Sequence, residues 1–178
     1  MRDGKNSNSA VAVSVFESDY GNTVDGAVEF QRSLERLAYK AGGGDYAAPV
    51  TTLGDFYDKK GGTLPSRVMP SYMNGSNYRL CDFSSFVPGF IYDALRDGLS
   101  AFDRKIKGFA SPSAVLSAFE TRTSAPVRIL RGEKRNAIGH DNLFPCGEGA
   151  GYAGGITSAA VDGLRTALEI MSRYSPLE

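Results

Sequence analysis

The chain has 178 residues, 42% of them hydrophobic, enough for one domain with a real core, or one domain and part of a second. Its 20 basic and 20 acidic residues cancel, which argues against a nucleic-acid surface. No apolar run reaches the roughly 18 residues of a membrane span, no signal peptide precedes the first strand pattern, and Cys81 and Cys146 lack the spacing of a zinc site or disulfide framework.

In chain order, the polar "RDGKNSNSA" after Met1 and the final Leu177-Glu178, which resembles a vector scar, read as the ends of an excised fragment. Residues 10–17, "AVAVSVFE", alternate small and β-branched side chains and predict a strand. "YGNTVDG" is a turn in which Thr23 or Asp25 can cap a helix. That helix runs over 26–40, with Val28, Leu34, Leu37 and Ala38 near one face, and "AGGG" stops it. A short strand near 46–51 is expected to break at Pro49. Residues 54–80, rich in Gly, Pro, Ser, Asn and Tyr, form a long irregular excursion, the kind of segment that usually carries function. Tyrosines 46, 57, 72 and 78 surround it and can anchor it through partial burial or line a surface.

Helical order returns at 84–106, where Ile91, Leu95, Leu99 and Phe102 fall at helical spacing and Gly98 offers a point of division. Two extended segments follow at about 114–121 and 126–130, separated at Pro126, and then the polar loop "RGEKRNAIGHDN". Leu143 to Cys146 predicts a short buried strand, with Cys146 as a packing residue. His140, the only histidine, lies in the polar loop and reads as solvated, so neither a serine–histidine triad nor a metal site is supported. A last helix carries Ile156, Ala159, Ala160, Leu164, Ala167, Leu168 and Met171 on one apolar side. The expected class is α+β or α/β, a mixed sheet with packed helices. The expected division is 1–140 and 141–176.

Between the last strand and the last helix stands "GEGAGYAGG", five glycines in nine residues. A glycine-rich turn that opens a helix can bind an anion or a dipole. The first-turn amides lack partners inside the helix, and the aligned peptides add about half a positive charge. Glu148 within the turn would repel a bare phosphate but accept hydrogen bonds from polyol hydroxyls. No Gly-Lys-Ser/Thr follows, so this is not a Walker loop. A GxGxxG reading exists at Gly149–Gly154; tight helix–strand packing explains the same glycines equally well.

The stretch "LFPCGEGAGYAGGITSAAVDG" resembles the C-terminal flavin-binding segment of two-dinucleotide-fold flavoproteins, most closely a bacterial family of uncharacterised FAD-dependent dehydrogenases. "AFDRKIKGFASPSAVLSAFETRTSAPVRI" is similar to the segment before the flavin loop in that family, and "GAVEFQRSLERLAYKAGGGDYAAP" and "NSNSAVAVSV" to its middle region. The family's first GxGxxG motif, which cradles the FAD pyrophosphate, has no counterpart before residue 147. The resemblance therefore implies a C-terminal portion whose partner is a missing N-terminal FAD-binding half. It implies FAD in the parent protein and none held by this portion alone. Glu148 would contact the ribityl or pyrophosphate region, Gly147 and Gly149 would belong to the same cofactor-binding turn, and Gly154, Gly155, Ile156 and Thr157 would face the flavin pyrimidine edge. There a helix start would stabilise the charge of the reduced ring. Arg122 and Arg128, flanking "TSAP", would lie on the substrate side, where an arginine can clamp a carboxylate; the other reading is an ion pair with Glu120 or Glu133. The small-molecule substrate is unknown.

Two other readings stand beside an FAD-dependent oxidoreductase. One is a non-catalytic binding or oligomerisation module, in which the glycine loop only packs and exposed apolar faces pair in a homodimer. The other is a flavoprotein that modifies RNA, which the neutral charge balance opposes. A cytoplasmic location is the expectation.

Overall fold

A computed structural model describes residues 3–73, 77–121 and 124–174. They form two compact units: the first takes in residues up to Phe16 and Arg32–Phe119, the second Glu17–Gln31 and the chain from Glu120 onward. The segment from 141 lies wholly in the second unit.

The first unit is built on a mixed three-stranded sheet. Strand β1 (Ala48–Thr52) lies between β2 (Tyr78–Leu80), which runs parallel to it, and β3 (Val115–Ser117), which runs antiparallel. With its helices this makes the class α+β. Pro49 does not break β1. Alternate residues of a strand turn their backbone groups to opposite neighbours. Ala48 donates to Asn77 and Val50 accepts from Cys81 on the β2 side, so Pro49 faces β3. There its carbonyl accepts from Ala118, and the pairing with β3 starts only at Val50, so no ladder bond requires the missing amide.

Beyond β1 the chain turns into the short helix α3 (Leu53–Tyr57) of the expected irregular excursion. Thr52 caps it by accepting from the Asp55 amide at 3.2 Å. Buried Asp55 then reaches forward and takes both the amide and the hydroxyl of Thr63, at 2.9 and 2.7 Å. One carboxylate thus pins the start of the excursion. Two of its tyrosines anchor it further: Tyr57 bonds Ser100 at 3.1 Å and Tyr72 bonds Ser117, whereas Tyr46 is exposed. Phe56 is fully buried against Phe83 and Tyr92, whose hydroxyl donates to the Phe56 carbonyl. Helix α4 (Gly89–Lys105) supplies Ile91, Tyr92 and Leu99 to this core and runs unbroken through Gly98. A lone glycine inside a helix costs only about 1 kcal/mol, which the buried face offsets.

The expected strand at 10–17 is not formed. Val11, Val13 and Val15 are half-buried and the residues between them exposed, so the two-residue period is real. No ladder partner meets it among the described residues, and a strand without a partner leaves its amides to solvent.

The second unit contains the short helix α1 (Glu17–Tyr20), the start of α2 (Val24–Ala41) and the final helix α5 (Ile156–Arg173). The two helix expectations near 26–40 and after residue 155 therefore hold. Among the described residues no strand forms at 126–130 or 143–146. Pro145 has no amide to give, and its carbonyl is taken by the Arg131 side chain at 2.9 Å instead of by a neighbouring strand. Cys146 is exposed, not packed. Among the described residues of this unit the buried hydrophobics are three alanines, 27, 137 and 150. Polar contacts carry what an apolar core would otherwise do.

Candidate functional site

The glycine-rich loop, 147–155, is a folded turn. Gly151 donates to the Glu148 carbonyl at 2.8 Å and Tyr152 to that of Gly147 at 3.0 Å. Gly147 and Gly151 sit at φ of +72° and +81°, the left-handed region that suits glycine. At Gly151 the need is doubled, because a Cβ would come within 2.7 Å of the Val127 carbonyl oxygen. The middle glycine of the apparent GxGxxG thus faces the protein's own backbone and not a ligand.

Side chains hold this turn from below. The Asp162 carboxylate, on α5, accepts from the Gly147 amide at 2.9 Å, from Arg131 at 2.9 and 2.6 Å, and from Arg135 at 2.8 Å. Arg131 and Asp162 are only 11% and 12% exposed. The bond from Arg131 is the main cause holding the Asp162 carboxyl well below the usual carboxylate range, and the same bond raises Arg131. Two guanidiniums against one carboxylate leave the cluster one positive charge in excess. Arg135 takes a left-handed backbone, φ +62°, to reach it. Tyr152 completes the brace: its hydroxyl donates to the Ile129 carbonyl at 3.0 Å and accepts from the Arg131 amide at 3.1 Å. The Arg131 guanidinium lies 3.6 Å from the centre of its ring.

Above the brace, α5 begins in the open. Ser158 takes the Gly155 amide at 3.2 Å, and the first helical bond runs from Ala159 to the Gly155 carbonyl. The amides of Ile156, Thr157 and Ser158 have no acceptor among the described residues, and Ile156 is 94% exposed. At this tip the Ser158 side chain occupies the Gly155 amide, and the three amides after it stay open.

The residues singled out from the sequence therefore divide by role. Gly147 spends its amide on Asp162, so it is a hinge of the turn. Glu148, Gly149, Gly154, Gly155, Ile156 and Thr157 are exposed along the turn and helix tip. Arg128 donates from Nε to the Gly151 carbonyl at 2.8 Å and lies over Tyr152, and among the described residues it pairs with neither Glu120 nor Glu133. Arg122 lies outside the described residues. His140 is exposed. Asp162, Arg131, Arg135 and Tyr152 were not anticipated. Their signal was an acidic residue two turns into a helix that follows a loop holding two arginines. Among the described residues no group of three or more His, Cys, Asp or Glu could hold a metal ion, and no helix is long and apolar enough to cross a membrane.

Comparison with known proteins places the chain. An uncharacterised protein of Clostridium beijerinckii (strain ATCC 51743 / NCIMB 8052) is 45% identical over 174 residues, 97% of this chain. The chain spans only 32% of that relative's length. That alignment takes in the glycine-rich loop, whereas the family match, to FAD-dependent protein, C-terminal domain-like, covers residues 1–123 and stops short of it. With that match over most of its length, the chain belongs to the family of FAD-dependent proteins' C-terminal domain-like sequences.

Proposed function

We propose that this chain is the substrate-side portion of a longer FAD-dependent oxidoreductase, and that its glycine turn and the start of α5 form the wall against one edge of the flavin ring. The observation that carries the reading is the set of three unpaired amides at Ile156, Thr157 and Ser158 at an open helix tip, on a helix whose Asp162 belongs to a cluster with one positive charge in excess. Such a tip suits an electron-rich edge, because the N–H groups and the helix dipole point the same way and need no rearrangement. The exposed carboxylate of Glu148, a few residues away, suits hydroxyl groups of a polyol chain.

The residues fit that part of FAD and not the rest. A pyrophosphate needs a second glycine-rich strand-to-helix turn, and the sequence has none before residue 147. FAD, when bound in the parent protein, would supply the hydride chemistry. This chain's own residues orient and polarise: Asp162 and Arg131 fix the turn, Tyr152 fixes its approach to Ile129, and the free amides face outward. Arg128, with Nε engaged on Gly151, keeps its terminal nitrogens for an anionic group on the substrate side.

The test is Gly155→Val in the full-length protein. Gly155 has φ −152°, open to any residue, and a Cβ would lie 3.6 Å from the Ser158 hydroxyl, an ordinary contact. Loss of a favourable cap costs about 1 kcal/mol, so the fold survives. We expect the purified variant to keep its circular dichroism and lose at least nine-tenths of its flavin absorbance. Full retention of flavin would favour the alternative, a turn that serves packing only.

A further inference from the structure

We infer that the apolar face of α5 is a docking surface for the remainder of the longer polypeptide, an inference that rests on reading this chain as one portion of a larger protein. At 3.6 residues per turn, α5 has two unlike sides. Asp162, Thr166, Glu169 and Arg173 share one side, and each bonds within the second unit. Ile156, Val161, Leu164, Leu168 and Met171 share the other, and all five are exposed, Leu164 at 63% and Met171 at 71%. The helix is therefore seated by its polar side, and its hydrophobic side faces out along about 23 Å.

The occupant follows from area and length. Five such side chains offer about 500 Å² of apolar surface. A stable pair of separate copies needs about 800 Å² from each partner. This stripe is too small to hold a second copy by itself. A segment of the same polypeptide is not so limited, because tethering raises its effective concentration to about millimolar or more. The related protein supplies the length: this chain matches 32% of it, leaving two thirds that could present such a segment. The three buried alanines of the second unit point the same way, since a unit with so little apolar core gains most from a face brought by the rest of the chain.

The test is thiol labelling. Leu164→Cys is made in a Cys81→Ser, Cys146→Ser background, in both the 178-residue chain and the full-length polypeptide, and reacted with a maleimide; Val161→Cys, nearer the edge of the stripe, serves if the first variant does not fold. We expect labelling at least tenfold slower in the full-length protein than in the 178-residue chain, at any protein concentration. Equal rates would overturn the inference. So would slow labelling already in the 178-residue chain: concentration-dependent slowing would assign the face to a second copy, and concentration-independent slowing to the chain itself. Flavin content is read separately by absorbance. Protection in a colourless protein would end the FAD reading and leave this one standing; a yellow protein labelled at the faster rate would do the reverse.

Discussion

Replacing Asp162 with asparagine tests whether the turn is held electrostatically. The carboxylate accepts four hydrogen bonds, two from Arg131, one from Arg135 and one from the Gly147 amide. Asparagine keeps the shape but sets an NH₂ against donors and leaves Arg131 without its counter-charge. Breaking a buried ion pair costs about 3–5 kcal/mol. Both partners keep about a tenth of their surface in water, so we take the lower end, about 3 kcal/mol. Hydrogen exchange is the right assay, because two compact units make a single unfolding free energy ill-defined. At a tenfold change per 1.4 kcal/mol, the Gly147 amide and the middle of α5 should exchange about a hundredfold faster. The variant should also lose an acid limb. The folded carboxyl titrates below its unperturbed value of 3.8, so its stabilisation is complete above that pH and disappears as pH falls through the lower, folded value. Protection of 147–173 in the native protein should therefore be flat from neutral pH to about 5 and fall only in stronger acid, whereas the variant should show no such step. Acceleration below about tenfold, or an unchanged acid limb, would refute the argument.

Two other substitutions probe the supports one at a time. Gly151→Ala forces a Cβ to within 2.7 Å of the Val127 carbonyl at φ +81°, and should destabilise the second unit by about 1–3 kcal/mol; Gly149→Ala, with open space around it, should stay within about 0.5 kcal/mol, both read as exchange across 127–152. Equal effects would mean that the close approach at Gly151 is not constraining. Asp55→Ala removes the partner of both Thr63 groups, and trypsin should then cut after Lys59 or Lys60 at least tenfold faster; an unchanged cleavage rate would show that Asp55 does not hold the excursion.

Local chemistry was readable where it is written in adjacent residues. The helix over 26–40 announced its cap and its stop, and α5 its glycine entrance. Pairing was harder. "AVAVSVFE" has the right period for a strand, but period describes one segment and a ladder needs two. Leu143 to Cys146 has the composition of a buried strand, yet Pro145 withholds an amide and Arg131 claims its carbonyl from 14 residues away. The brace beneath the glycine turn was missed for a related reason. Asp162, Arg131 and Arg135 look like ordinary surface charges in sequence, and only the fold reveals that they share one carboxylate.

Helix α5 shows how far periodicity reaches. Ile156, Leu164, Leu168 and Met171 do form one face, as their spacing says, but that face is the exposed one. A hydrophobic period fixes which residues lie together; it does not fix what they meet. The better partner for α5 was a set of charges, because Asp162 could satisfy two arginines and a backbone amide at once, while the apolar side had little to pack against in a unit whose buried hydrophobics, among the described residues, are alanines. The arrangement is stable only if the ionic side is strong enough to seat the helix alone, which is why the Asp162 and Leu164 experiments answer different questions. The first asks what holds the helix now, and the second asks what its exposed side was shaped to meet.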